Sequence, residues 1–417
     1  MIVYKFGGAS VSSASSIKSL AGIVKECKEE LFIVISAFGK TTNNLEALLS
    51  LWYKNSDKRF SVYNDIVGYH YNIISKLFPS VNHHVYDVFS ELTLNIERRL
   101  HDVPGDNYDF EYDQLVSYGE LISTRIVSAF LETSGLKNQW ADARSWLKTD
   151  DTFREGKVNY IQTELNIKEL VRTRNSNIYV TQGFIGGTAD GHTTTLGREG
   201  SDYTAAIIAS MLDAVKLVVW KDVPGILTAD PLFFPEAEKL DFISYREAIE
   251  LSFYGAKVIH PKTIKPLQNK NIPLYVKSFL DPGGSGTLIQ GPESQSPIRP
   301  IVIIKREQIL VSLTPRDFSF VVEDCLSRIF ALFFKYNVKV NLIQHSAISF
   351  TLCFDNKGPF VMRLLEELGI EFRVLYNEDL ELITIRHYTQ DAIKKHSTGR
   401  KLIVEQRSRT TAMLVVS

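Results

Sequence analysis

Four short segments carry residues whose types and order could do chemistry. In the first, Lys5-Phe6-Gly7-Gly8-Ala9-Ser10 stands between an apolar run at the amino terminus and a helical pattern beginning near Ser13 to Ser16. Adjacent glycines let backbone N–H groups approach a phosphate, a helix amino terminus favours negative charge, and a lysine adds a compact cation. The Walker A pattern GxxxxGK[ST] is absent, and a solvated lysine beside a plain Gly-Gly turn has the same local sequence. The second segment, Thr194-Thr195-Leu196-Gly197-Arg198-Glu199-Gly200-Ser201-Asp202, leads into a helix expected over Tyr203 to Leu212. A guanidinium among glycines can clamp a carboxylate through two parallel hydrogen bonds, while Ser201 and Asp202 equally suit the N-cap region. The third, Trp220 to Pro231, reads as a strand end turning into a tight loop, the place where open α/β sheets bind ligands. In the fourth, Phe253 to Pro261, Gly255 ends a helix, Lys257 follows the turn, and His260 reads as a cap or packing residue.

These segments need a scaffold. Residues 1 to about 290 alternate β-branched runs with helical patterns, as in a mainly parallel sheet covered by helices on both faces. Strands are expected at 1–4, 31–35, 178–184, 215–220 and 272–277, with helices over 17–27 and 114–132. Residues 44–101 look helical, polar and aromatic-rich, an excursion from the sheet without a legible role. Glycines and prolines crowd 281–300, which is expected to be a linker. Beyond it the pattern changes to two β-α-β-β sets, with strands at 309–313, 338–343, 347–354, 380–385, 401–405 and 411–416, implying paired α/β sandwiches.

Composition narrows the classes further. Hydrophobic residues are 44% and charged residues 23% of 417, as in a globular protein with a sizeable core. The formal net charge of -1 provides no global field for nucleic acid or anionic lipid, so neither is an expected partner. Cys27, Cys325 and Cys353 are odd in number and widely spaced, and the histidines show no HxxxH or HExxH pattern, so neither disulfides nor a zinc site is expected. No secretory signal or membrane span is visible, and the expected location is cytoplasmic.

Taken together with the stretch Leu115 to Thr124, the four segments resemble the aspartokinases of the amino acid kinase superfamily. Lys5 to Val11 is similar to the family's KFGGTSV opening, Leu115 to Thr124 to its helix with an essential glutamate, and Thr195 to Thr204 to LGRGGSDYT. Trp220 to Pro231 resembles WTDVxGIYTADP, and Phe253 to Pro261 resembles FGAKVxHP. The match runs in family order through the first 290 residues, and the tail, above all Val340 to Ser349, resembles regulatory ACT modules. The resemblance implies a three-layer αβα amino acid kinase fold over 1–290, the 281–300 linker, and tandem ACT-like modules over 301–417.

It also implies transfer of the γ-phosphoryl group of ATP, with Mg2+, to the β-carboxylate of L-aspartate, the first step towards lysine, threonine and methionine. Lys5 would sit on the transferring group, Gly7 and Gly8 would offer backbone donors, and Arg198 would hold the substrate α-carboxylate. Glu120 and Asp202 would serve the α-ammonium side and orient the lysines; a glutamate beside Gly119 is otherwise an ordinary solvated helix residue. Ser36, Thr42 and Ser201 would hydrogen-bond the substrate, while Lys221, Asp222, Leu227 and Lys257 would border the nucleotide. An amino-acid effector is expected at Asn341, Gln344 and Ser346, with a homodimer through the ACT modules. Ala9 replaces the family's threonine, Glu199 a glycine, Lys221 a threonine, Leu227 a tyrosine and Leu232 an arginine, changes that bear on nucleotide affinity. Two rival readings stand beside it: a sister kinase for acetylglutamate, glutamate or UMP, which would share the sheet and the opening lysine but not the ACT-like tail and the Arg198-to-Asp202 segment, and an amino-acid sensor that has lost catalysis.

Overall fold

The computed structural model describes residues 1–173, 176–256, 259–291, 299–317 and 319–417. These fall into two compact units, one of 1–226, 239–249 and 259–291, the other of 227–238, 250–256 and 299–417.

The first unit is built on an eight-stranded sheet. Along the chain come β1 (Ile2–Phe6), α1 (Ala14–Glu26), β2 (Leu31–Ile35), α2 (Thr41–Tyr53), α3 (Lys58–Leu77), α4 (Val85–His101), α5 (Tyr108–Val116) and α6 (Tyr118–Thr133). There follow β3 (Gln139–Ala141), α7 (Ala143–Trp146), α8 (Tyr160–Arg172), β4 (Ile178–Gln182), β5 (Ile185–Gly187), β6 (Thr193–Thr195), α9 (Gly200–Met211) and β7 (Leu217–Lys221). The unit closes with β8 (Phe242–Ile243), α10 (Tyr245–Tyr254), which runs on into the second unit, α11 (Pro261–Lys270), β9 (Leu274–Ser278) and β10 (Thr287–Ile289). The strand order is β3-β4-β2-β1-β7-β9-β10-β8. β1, β2, β4, β7 and β9 run parallel, with Lys5 in register with Val34 on one side and Val219 on the other. All five residues of β2 are buried, which is why it reads as an unbroken apolar run rather than an alternating one. The order reverses at β1, so the crevice outside the carboxyl ends of β1 and β7 is the topological switch point.

The excursion over 44–101 is α2, α3 and α4, and it shares one hydrophobic core with α1, α6 and the sheet. Three expectations for this unit need correction. The helix expected over 114–132 is two helices broken at Ser117, which places Glu120 in a first turn. Helix α9 starts at Gly200, and the preceding Glu199 is in the left-handed conformation at φ 54°, where the family's glycine costs less. Within the expected linker, Thr287–Ile289 forms β10 and pairs antiparallel with β9, because a short β-branched run survives among the turn residues.

In the second unit the elements are β11 (Ile301–Pro315), α12 (Glu323–Lys335), β12 (Val340–His345), β13 (Phe350–Asp355), α13 (Pro359–Glu371), β14 (Phe372–Arg386), α14 (Gln390–Ser397), β15 (Leu402–Arg407) and β16 (Thr411–Val416). They form a single sheet of order β12-β13-β11-β14-β16-β15. The two β-α-β-β sets are thus joined edge to edge: β11 and β14 pair along their length, and β11 serves one set with Ile301–Lys305 and the other with Gln308–Pro315. The register shift between those halves surrounds Glu307 at φ 54°, a bulge that the sequence pattern hid.

Candidate active site

The site grows from the end of β1. Successive strand residues point to opposite faces, so Phe6 and Tyr4 turn towards Trp220, while Lys5 turns towards α9. The Lys5 Nζ lies 2.5 Å from Asp202 Oδ1, and both side chains are nearly buried. Lys221, the last residue of β7, brings a second ammonium 3.8 Å from Asp202 Oδ2. Burial alone would raise the Asp202 carboxyl, yet Lys5 and Lys221 outweigh it and hold the group below the usual carboxylate range. One carboxylate therefore spaces two cations at the carboxyl ends of adjacent parallel strands.

Around this triad the chain wraps two loops. Gly7 lies beneath the Lys5 ammonium, whose Nζ is 3.6 Å from where a Cβ would stand. A Cβ on Gly8 would meet the Ala37 carbonyl at 2.8 Å, so only glycine lets the first loop lie against the second. Gly39 N–H donates to the Gly8 carbonyl at 3.0 Å, and Ser36 N–H to the Phe6 carbonyl at 3.2 Å. Ser10 Oγ donates to the Trp220 carbonyl at 3.1 Å, tying the glycine loop to β7.

Glu120 joins from α6. A Cβ on Gly119 would come within 2.9 Å of the Ala37 side chain, so its absence lets the helix dock closely and buries Glu120 beside the second loop. The carboxyl accepts from Ala37 N–H at 3.2 Å through Oε1, while Oε2 is buried without a hydrogen bond among the described residues. Burial pushes this carboxyl up to about 8, against the opposing pull of the Ala37 N–H and Lys5. Such a group accepts a proton near neutrality and is poised to ionise when a cation arrives.

The other candidate residues are less closely gathered. Arg198 is exposed on the β6–α9 loop and has no hydrogen bond or ion pair among the described residues, leaving its guanidinium available to a ligand. Ser201 is buried in the first turn of α9, Ser36 and Thr42 are half-buried, and Asp222 is exposed just beyond β7. Leu227 falls in the second unit, and Lys257 lies outside the described residues. His260 caps α11, its Nδ1 accepting from Lys262 N–H at 3.1 Å. In the second unit Asn341 is engaged internally: it accepts from Lys305 at 2.8 Å and donates to Gln308 and Asp355. Gln344 and Ser346 are exposed, and Ser346 bonds Ser349.

Several supporting residues had no local sequence signal. Asp113, fully buried on α5, accepts from Thr195 N–H at 2.9 Å, Thr195 Oγ1 at 2.6 Å and Arg154 N–H at 2.9 Å, which fixes the strand feeding the Arg198 loop. Gln182 donates to Thr124 Oγ1 and accepts from Ala143 N–H, bracing the turn of α6 behind Glu120. The excursion supplies a buttress: Tyr69 donates to the Ser12 carbonyl at 2.7 Å, and His70 stacks on Phe38 with Nε2 3.4 Å from Thr41 Oγ1. Among the described residues no three His, Cys, Asp or Glu side chains gather as a metal cage, and the two site carboxylates are already engaged, Asp202 by the lysines and Glu120 by Ala37. No helix among them is long and apolar enough to cross a membrane.

Comparison with known proteins agrees with this architecture. Residues 1–278 match the amino acid kinase family. The chain is 33% identical over 394 residues to lysine-sensitive aspartokinase 3 of Escherichia coli strain K12, covering 92% of this chain and 86% of that protein. It is 31% identical over 380 residues to chloroplastic aspartokinase 1 of Arabidopsis thaliana, covering 88% of this chain and 65% of that one. The crystal structure of E. coli aspartokinase III with aspartate and ADP, an R-state, superposes with a TM-score of 0.84 at 29% identity, covering 100% of this chain and 96% of that one. The two cations on one carboxylate at the switch point, the helix-borne glutamate and these likenesses over nearly the whole chain converge: the chain belongs to the amino acid kinase family and, within it, to the aspartokinases.

Proposed function

We propose that the chain transfers the γ-phosphoryl group of ATP to the side-chain carboxylate of L-aspartate, yielding ADP and 4-phospho-L-aspartate. The observation that carries this reading is the Lys5–Asp202–Lys221 cluster at the carboxyl ends of β1 and β7. Both substrates are anionic, so a carboxylate can approach phosphorus only where fixed cations offset the repulsion. Lys5 rests against the transferring group, with the Gly7 and Gly8 loop as its cradle, and Asp202 keeps Lys5 and Lys221 apart and aimed. The acceptor carboxylate is ionised at neutral pH and needs no general base. Arg198 takes the aspartate α-carboxylate, and Glu120 meets the α-ammonium, with Ser36, Thr42 and Ser201 as neutral partners. Lys221 and Asp222 border the nucleotide. Mg2+ would arrive with ATP and would offset part of the phosphate charge.

The same reading assigns residues 1–290 to catalysis and 301–417 to regulation, joined through 281–300, in a cytoplasmic enzyme. Another E. coli aspartokinase III structure holds lysine and aspartate in a T-state. An amino-acid effector acting through Asn341, Gln344 and Ser346 is the corresponding proposal here. Phe334 on α12 and Ile370 on α13 are 88% and 74% exposed, apolar surface of the kind that a homodimer through this unit would cover. The test is a coupled assay of ADP release with aspartate, acetylglutamate, glutamate or UMP as acceptor. ADP release with aspartate alone supports the proposal; release with another acceptor, or none with any, refutes it.

A further inference from the structure

A second cavity lies on the face of the main sheet opposite Lys5. Its volume is about 470 Å3, within the range of small-molecule pockets. Tyr4 and Trp220 line it; each directly precedes a site lysine, so strand alternation turns them away from Asp202. Val218 and Tyr275 continue the wall along β7 and β9.

Two lysines share this space. Lys277 stands over the Trp220 ring, 5.4 Å from its centroid, and Lys216 over the Tyr275 ring at 5.9 Å. Neither has an ion pair within 4.0 Å among the described residues, and Glu26, at the exposed end of α1, is the lone carboxylate lining the cavity. Burial and then the charge of Lys216 hold the Lys277 ammonium below the usual lysine range, and the Asp281 carboxylate opposes them only in part. Trp220 is 3% exposed, and its indole N–H has no acceptor among the described residues. Aromatic walls and two cations without an ion pair among the described residues together fit a small anion with a flat apolar body.

We propose that this cavity is a second ligand site, separate from the phosphoryl-transfer site, for an aromatic or heteroaromatic anion whose charge is taken by Lys216 and Lys277. Both lysines lie outside the machinery around Asp202, so their removal leaves turnover in place. The probe is 8-anilinonaphthalene-1-sulfonate, followed by fluorescence on the full chain. Wild type binds it in a site that saturating ATP and aspartate do not compete for, and uncharged N-phenyl-1-naphthylamine binds there more weakly. The double variant Lys216→Gln/Lys277→Gln, with kcat retained as proof of folding, binds the sulfonate roughly tenfold more weakly; each single variant falls between. Equal affinity in wild type and double variant overturns the proposal. So does displacement by ATP, and so does absence of saturable binding to the wild-type chain.

Discussion

Replacing Glu120 by Gln isolates the free energy of one buried carboxyl. In the folded chain burial pushes that group up to about 8 from an ordinary 4.5. The native state then holds the proton more tightly than the unfolded chain, so ionising this group opposes folding as pH rises from 4.5 towards 8. A tenfold change in proton affinity corresponds to about 1.4 kcal/mol, so between pH 5 and pH 8 Glu120 removes about 3 kcal/mol of stability that glutamine, which does not titrate, retains. The assay is denaturant unfolding of both proteins from pH 5 to 9, read as the difference between them, in which contributions from other groups cancel. The variant should gain relative to wild type as pH rises and level off above 8. Parallel curves would refute a raised carboxyl. Because a substrate ammonium favours the ionised form, wild-type aspartate KM should fall as pH rises towards 8, and the variant should lose that dependence while its KM rises.

Other perturbations read the rest of the site. Asp202→Asn takes the counter-charge from the nearly buried Lys5 ammonium and should cost roughly 3–5 kcal/mol in denaturant unfolding, with a matching loss of kcat. Arg198→Ala removes a side chain with no partner among the described residues, so the melting temperature should hold while aspartate KM rises roughly ten- to a hundredfold. Burial holds His70 down at about 4 despite the Ile66 carbonyl, so it stays neutral while the unfolded chain protonates below 6.5. By the same linkage wild type should lose about 3 kcal/mol by pH 4, and His70→Gln should show a flatter acid limb in unfolding scans.

The sequence made Lys5 legible because a strand-end lysine before Gly-Gly is a local pattern, and the ends of β1 and β7 are where such patterns become sites. Glu120 was legible only through resemblance: by itself it looks solvated, and its burial depends on Gly119 meeting Ala37, a contact between distant segments. Asp113, Tyr69 and His70 gave no signal, since their partners Thr195, Ser12 and Phe38 are far away in the chain. The halves of the second unit read as separate modules because periodicity reports local elements. It could not show that Ile301–Lys305 and Gln308–Pro315 are one strand bent at Glu307. Glu199 in a left-handed conformation is the clearest departure, a non-glycine residue retained where backbone strain costs about 1 kcal/mol or more.

The Lys5 ammonium is proposed to stabilise charge developing on a phosphoryl group in flight to aspartate. The most direct measurement is kcat for aspartate-dependent ADP formation by Lys5→Ala, in protein whose melting and circular dichroism show it folded. With that role, kcat falls on the order of a hundredfold or more, with smaller changes in either KM. Turnover equal to wild type would contradict it.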